Sequence, residues 1–327
     1  MDNIPKNILV TGCAGFIGSK ISEMLLERGA NVIGVDNLNN SYIQQLKDWR
    51  LSRLMQLPNF QFNKIDITDF EMVKTLFESY DLNAVINLAA KAGVRSSLDN
   101  PWIYIETNVT GTLNLLELCR RFGVKKFVLS SSSSVYGKSN LPFNEDSQTD
   151  FQLSPYASSK KSAESLAFTY HYLYGIDTTI LRYFTVYGPA GRPDMTPFKF
   201  THCISKGIPI NVFGDGTQER DFTYIDDIAR GSINALKSLG FEIINLGSDH
   251  PIKLKYLIQL IENNLGNKAK IEYQPNHPAD ISSTWADISK AKRILGWQPQ
   301  VSVEEGIQNT VNWYLENKSW LNDLYIE

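Results

Sequence analysis

The sequence is poor in the residues that build disulfide scaffolds and metal sites. Its 3 cysteines, Cys13, Cys119 and Cys203, are odd in number and lie far apart. That spacing excludes a disulfide framework and a zinc-type cluster, and it makes a reducing, cytosolic setting the economical expectation. The 4 histidines, His171, His202, His250 and His277, show no ligand-like pairing, so no metal is expected. No apolar run approaches the ~18 residues of a membrane span. The opening "MDNIPKNILVTG" enters a strand-like segment with no signal-peptide pattern before it. A basic excess is missing too: 32 Lys and Arg against 35 Asp and Glu leave a net charge of −3. Nucleic acid and anionic membrane are therefore poor candidates as partners. A few clustered arginines would still suffice for one phosphorylated ligand.

What is present is ordinary for a chain that buries a full core: 327 residues, 43% hydrophobic and 20% charged. "KNILVTG" (6–12) is a short β-branched run ending in glycine, and reads as a buried parallel strand. "FIGSKISEMLLERGA" (16–30) puts Ile17, Ile21, Met24 and Leu25 on one helical face and stops at Gly29. "NVIGVD" (31–36) completes a β-α-β unit. The alternation continues with a strand over 60–67, a helix over 69–80, a strand over 84–90, a long helix near 103–122 and a strand over 125–132. This is an α/β pattern that predicts a parallel sheet with helices on both faces. After the strand and loop "TTILRYFTVYG" (178–188), elements become shorter, with helices over 254–266 and from a capping box at Ser302 and Glu305. The expected organisation is a nucleotide domain over 1–178 and a smaller α/β substrate lobe over 179–327, some of whose segments return to the first domain.

Three motifs carry chemistry. "TGCAGFIG" places Gly12, Gly15 and Gly18 between a strand and a helix, where backbone amides and the helix N-terminus suit a pyrophosphate; close packing of helix on strand is the other reading. Asp36 ends the second strand, 18 residues after Gly18. A carboxylate there accepts from a ribose diol and favours NAD over NADP, unless it only closes an Asx turn. "YASSK" sets Tyr156 and Lys160 at i and i+4 of a helix started by Ser154 and Pro155. A nearby ammonium is expected to lower the phenol's pKa and make Tyr156 an acid/base for a hydroxyl proton. "SSSSSVYG" (130–137) sets hydroxyls at a strand's carboxyl end, where ligands bind; two or three are expected to touch substrate and the rest to be scaffold.

Together "TGCAGFIG", the strand-end serines and "YASSK" resemble the extended short-chain dehydrogenase/reductase family of nucleotide-sugar enzymes, over essentially the whole chain. The stretches "DNLNNSYIQQLKDWRLSRL", "NLAAKAGVRSSLDNP", "RYFTVYGPAGRPDM" and "RDFTYIDDI" resemble the branch that epimerises UDP-glucuronate at C4. The resemblance implies a Rossmann-type doubly wound sheet, NAD as cofactor, a UDP-sugar as substrate, and a homodimer formed through helices near 103–122 and 156–173. It implies Ser132, with Ser133 sharing the role, as catalytic hydroxyl, Tyr156 as acid/base and Lys160 as its tuner. Cofactor contacts would come from Gly12, Gly15, Phe16, Ile17, Gly18, Asp36, Asn37, Asp66, Ile67, Leu88, Ala89, Ala90, Lys91, Asn108 and Tyr183, besides Tyr156 and Lys160. Substrate contacts would come from Arg95, Ser132, Ser133, Ser134, Thr185, Arg192, Arg220 and Asp280.

Single positions then narrow the reaction. Related dehydratases carry Asp-Glu after the catalytic hydroxyl, and related decarboxylases a glutamate before "VYG"; here those positions are Ser133 and Ser134. Without that extra acid/base, simple epimerisation of UDP-glucuronate and UDP-galacturonate through a 4-keto intermediate is expected. Arg192 sits on a loop stiffened by Pro189 and Pro193, and offers a forked donor to the C6 carboxylate. Such a charge-assisted pair is worth about 1.5–3 kcal/mol and would discriminate against neutral hexoses. Pairing with Asp194 or the pyrophosphate is the alternative, and Arg95 could share the anion work. Epimerisation of a neutral UDP-hexose or UDP-N-acetylhexosamine remains as another reading, with a UDP-glucuronate decarboxylase and a non-catalytic NAD-binding sensor behind it.

Overall fold

β1 (Asn7–Thr11) is an interior strand of the large sheet and is fully buried from Ile8 onward, as an unbroken apolar strand must be. The computed structural model describes residues 4–275 and 281–321. After β1 come α1 (Phe16–Glu27), β2 (Asn31–Asp36), α2 (Gln44–Leu54), β3 (Phe60–Lys64), α3 (Phe70–Ser79) and β4 (Ala84–Asn87). The short α4 (Ser96–Asp99) and α5 (Trp102–Ile105) lead through a π-helical turn (Glu106–Thr110) into α6 (Gly111–Phe122). β5 (Lys126–Ser132) ends in a 3₁₀ turn (Ser133–Tyr136), followed by α7 (Pro155–Tyr174) and β6 (Asp177–Tyr183). The remainder comprises β7 (Thr185–Tyr187), α8 (Thr196–Lys206), β8 (Ile210–Phe213), β9 (Glu219–Tyr224), α9 (Ile225–Asn234), β10 (Phe241–Leu246), β11 (Pro251–Lys253), α10 (Leu254–Leu265), β12 (Ile271–Gln274), α11 (Ser289–Leu295), α12 (Val303–Glu316) and α13 (Lys318–Leu321).

Seven strands make one wholly parallel sheet in the order β10-β6-β5-β4-β1-β2-β3. This is the doubly wound Rossmann-like arrangement that the alternation predicted. Strand order reverses between β1 and β4, and the crevice above their carboxyl ends is where such sheets bind ligands. Two apolar clusters cover the sheet, one of which continues into the second half of the chain through Phe200, Ile228 and Trp297. Two small sheets, β11-β9-β7 and β12-β8, build that half, while β10 returns to the edge of the large sheet.

Several element ends differ from the sequence reading, each for a local reason. The strand expected over 84–90 stops at Asn87, because the N–H groups of Leu88 and Ala89 turn to the Thr11 hydroxyl at 3.2 and 3.1 Å. The strand expected over 60–67 stops at Lys64, opposite the last residue of β2, and Asp66 then closes a turn onto Thr68. α1 ends at Glu27, and its buried face holds Phe16, Ile21, Leu25 and Leu26, with Ile17 and Met24 only partly covered. The expected caps form: Ser154 accepts from the Ala157 N–H and Ser302 from the Glu305 N–H.

A buried ion pair locks α7 to the sheet. Arg182 on β6 and Glu164 on α7 are 1% and 2% exposed and meet through two hydrogen bonds of 3.0 and 2.8 Å. The Ser131 hydroxyl donates to the same carboxylate at 2.6 Å. Replacing Glu164 with Gln leaves the Arg182 cation without its counter-charge, and is expected to cost about 3–5 kcal/mol of unfolding free energy, read from urea midpoints.

Candidate active site

The glycine turn shows why no larger residue fits. The Gly12 carbonyl accepts the Gly15 N–H at 2.9 Å. A Cβ on Gly15 would fall 2.9 Å from that oxygen, and one on Gly18 only 2.1 Å from it. Gly12 itself has φ +69, and a Cβ there would press on the Ala89 backbone. Packing thus requires these glycines, yet the anion reading stands beside it. α1 opens with Gly15 at its N-cap and no side-chain cap, leaving its first amides, at Phe16 and Ile17, for an outside acceptor. This cradle fits the pyrophosphate of a dinucleotide.

Asp36 closes an Asx turn and does more. One carboxylate oxygen accepts the Leu38 N–H at 2.8 Å, the other the Ala14 N–H at 3.2 Å, and the Lys47 ammonium lies 3.9 Å away. It therefore ties the end of β2 to the glycine turn. Asn37 donates to Asp66 at 2.6 Å, and Asp66 is held below the usual carboxylate range by its hydrogen bonds from Thr68 and Asn37, against burial. Ile67 is buried under Gly111. Asn108, in the π turn, binds both backbone groups of Lys91 and donates to Ser159, whose hydroxyl binds the Tyr156 carbonyl. The loop Leu88–Lys91 after β4 is thereby fixed relative to the Tyr156 helix. The Tyr183 hydroxyl is engaged with Ser232 at 2.8 Å.

Ser132 ends β5 and caps the 3₁₀ turn: its oxygen accepts from the Ser134 N–H at 3.2 Å and the Ser134 hydroxyl at 2.9 Å. Its hydroxyl faces the Tyr156 phenol and favours the charged form of that phenol against burial. Lys160 is buried, with its ammonium 2.7 Å from the Ser130 carbonyl. Burial lowers its pKa to about 8, opposed by the Glu164 charge one turn further on. Burial pushes the Tyr156 phenol up, and Ser132 and the Arg192 cation draw it back. Lys160 is anchored to the β5 backbone.

Arg192 lies beside this pair. Its Nε and Nη2 donate to the two Asp194 oxygens at 3.1 and 2.5 Å, and Nη2 reaches the Ala92 carbonyl at 3.4 Å. Pairing with Asp194, the alternative weighed from the sequence, is thus realised. Arg95 is exposed and stacks its guanidinium 3.9 Å over the Phe213 ring. Arg220 donates to the Glu219 carbonyl at 2.8 Å, and Thr185 starts β7. Ser133 opens the 3₁₀ turn. Asp280 lies outside the described residues.

The sequence reading missed Arg50. It is 2% exposed, and donates to the carbonyls of Ala14, Ala190 and Gly191 and to the Tyr42 hydroxyl, stapling the glycine turn to the Arg192 loop. The available signal was spacing: Leu46, Lys47, Arg50 and Leu54 share one buried face of α2, an unusual place for two cations. Among the described residues no group of His, Cys, Asp and Glu suits a metal, and no helix is long and apolar enough to cross a membrane.

Fold and site define an extended short-chain dehydrogenase/reductase. A family model described as GDP-mannose 4,6 dehydratase matches residues 9–310, and the chain belongs to that family. It is 59% identical to a UDP-glucuronate 4-epimerase of Thermodesulfobacterium geofontis over 94% of this chain and 96% of that one. The solved UDP-glucuronic acid 4-epimerase of Bacillus cereus, in complex with UDP-glucuronic acid and NAD, superposes with a TM-score of 0.90 at 37% identity, covering 95% of this chain and 99% of that one. A UDP-glucose 4-epimerase of Thermotoga maritima with UDP-glucose superposes at 0.88 with 35% identity, over 95% of this chain and 99% of that one.

The depressed Lys160 pKa has a stability consequence. Below about 8 the folded protein carries a buried charge that the unfolded chain solvates; between there and the ordinary lysine value the unfolded chain binds the extra proton, so stability rises with pH. Lys160→Met is therefore expected to be more stable than the parent at pH 7, with the gap closing as pH is raised past 10, measured by urea unfolding across that range.

Proposed function

We propose that the protein is an NAD-dependent UDP-glucuronate 4-epimerase, interconverting UDP-glucuronate and UDP-galacturonate through a 4-keto sugar. The observation that carries this reading is a tyrosine–serine pair with a guanidinium beside it on a stiff loop: acid/base chemistry and a carboxylate reader at one place. The 59% identical relative bears that activity in its name. NAD, held at the glycine turn, would supply a hydride acceptor and donor for C4 that is regenerated within each cycle.

The chain's own residues do the rest. The amides at the start of α1 hold the pyrophosphate, and Asp36 accepts from a ribose diol. Tyr156 as phenolate takes the O4 proton, and as phenol gives it back. Ser132 hydrogen-bonds O4, with Ser133 and Ser134 close enough to share the sugar. Lys160, fixed on the Ser130 carbonyl, contributes charge and a donor to the ribose side. Arg192 takes the C6 carboxylate, which also restrains loss of carbon dioxide from the β-keto acid. Arg95, Thr185, Arg220 and Asp280 serve the uridine diphosphate and sugar. Residues 1–178 form the NAD domain and 179–327 mainly the sugar-nucleotide lobe. With serines at 133 and 134, the extra carboxylate of dehydratases and decarboxylases is missing. A neutral UDP-hexose is the second reading, favoured by the Arg192–Asp194 pair, which leaves Arg192 neutralised.

A second copy of the chain would cover the apolar stripes on α5–α6 and α7. Trp102 and Tyr172 are 76% and 77% exposed, with Ile105, Leu113 and Phe168 beside them in sequence spacing. Patches of this kind mark association surfaces. The three buried free cysteines agree with a cytoplasmic setting.

Incubating the purified protein with UDP-glucuronate and following the sugar by proton NMR is expected to give UDP-galacturonate without release of carbon dioxide; epimerisation of UDP-glucose alone would remove the reading. Arg192→Ala is expected to lower kcat/KM for UDP-glucuronate by about 3–30-fold, a charge-assisted pair less the Asp194 pair it displaces, and to lower that for UDP-glucose by less. Because the Arg192 cation stabilises the Tyr156 phenolate, the same variant should move the rising limb of the pH–rate profile to higher pH. Tyr172→Glu is expected to convert a dimer to a monomer in light scattering; an unchanged mass would place the interface elsewhere.

A further inference from the structure

We propose that Asp194 is a specificity-determining residue, an internal carboxylate that competes with the substrate's carboxylate for the Arg192 guanidinium. The inference rests on Arg192 being the reader of the acidic sugar, and goes beyond it by assigning how strongly that reading acts. Asp194 grips the Nε–Nη2 edge of Arg192 through both oxygens, which is the side-on forked geometry a uronate carboxylate would itself adopt. One edge of a planar guanidinium cannot serve two carboxylates side-on. Binding an acidic sugar there is therefore an exchange, in which only the difference between the two pairs contributes.

The loop is built for side-chain exchange and not for backbone movement. Pro189 and Pro193 flank it, Ala190 is held at φ 52, and the Arg50 guanidinium fixes the Ala190 and Gly191 carbonyls at 2.6 and 3.1 Å. The Met195 N–H closes a turn onto the Arg192 carbonyl at 3.2 Å. Within that frame the two partners differ: the Asp194 side chain is 49% exposed and that of Arg192 24%. Asp194 can turn to water at little cost, while Arg192 stays beside Tyr156. A neutral sugar leaves the Arg192–Asp194 pair intact, so it meets no unpaired guanidinium. Asp194 thus softens the penalty against neutral hexoses and weakens the gain from a uronate.

The test is a two-by-two set of variants, Asp194→Asn and Arg192→Ala alone and together, with KM measured for UDP-glucuronate and UDP-glucose. A half-exposed ion pair is worth a few tenths to one kcal/mol, so Asp194→Asn is expected to lower KM for UDP-glucuronate about two- to fivefold. KM for UDP-glucose should not fall, and the gain should vanish in the Arg192→Ala background. Asp194→Ala, which removes the acceptor, should act at least as strongly. An unchanged or raised KM for UDP-glucuronate in Asp194→Asn overturns the proposal and makes Asp194 an orienting partner, with the Arg192 reading intact provided Arg192→Ala alone reduces the preference for the acidic sugar. Equal effects of Arg192→Ala on both sugars would overturn the underlying reading itself.

Discussion

The buried pair of Arg182 and Glu164 is the interaction on which the site's geometry depends. Arg182 faces Ser131 across the β5–β6 ladder, and Ser131 donates to Glu164 on α7. Three elements are thereby fixed in register around one carboxylate. Ser132 is the next residue after Ser131, and Lys160 lies one helical turn before Glu164, so both inherit their positions from this pair. Two ions out of water are a liability that their pairing must offset, and Nη1 of Arg182 is buried with no hydrogen-bond partner among the described residues. Here the guanidinium also lies 4.8 Å over the Tyr136 ring, whose hydroxyl donates to Asn245 on β10. The polar thread therefore runs from α7 through β6 to the edge of the sheet.

Arg50 does comparable work on the other side of the crevice, but with no carboxylate. Its cation is satisfied by three carbonyls and a phenol, each a partial charge. The glycine turn and the loop bearing Arg192 are therefore parts of one hydrogen-bonded body, although they are far apart in sequence. A cofactor seated on the first and a sugar read by the second would meet at a fixed spacing. That is the arrangement a reaction needs when the same intermediate must present both faces to one acceptor without leaving the pocket.

Local chemistry was legible in the sequence and distant partnership was not. The β-α-β alternation, the glycine turn and the start of α7 at Ser154 and Pro155 follow from periodicity and capping, which depend on neighbours within a few residues. The end of β4 did not, because it is decided by the Thr11 hydroxyl from another strand. The π turn around Asn108 was read as plain helix, since one inserted residue leaves the apolar pattern intact. The anchor of Lys160 was hidden for a similar reason: its spacing from Tyr156 puts both on one helix face, but the acceptor for its ammonium is a carbonyl on β5. Arg50 and Glu164 were visible only as charges at buried helical spacing. Arg192 was found by its unusual loop, and its partner two residues on was named as an option, but choosing between that partner and a ligand required geometry.

The return of β10 to the large sheet has a consequence for how the molecule is made. β10 pairs along its whole length with β6, from Phe241 against Thr178 to Leu246 against Tyr183. The intervening stretch builds β7, α8, β8, β9 and α9 before that pairing can form. On a ribosome, the nucleotide half would emerge with the β6 ladder bare and its Arg182 thread lacking Asn245. An unpaired strand edge of that kind invites association with other chains until it is covered. The second half of the chain thus acts as an intramolecular guard of the first, and completion of the sheet becomes a late event in biosynthesis, coupled to the maturation of the lobe it passes through.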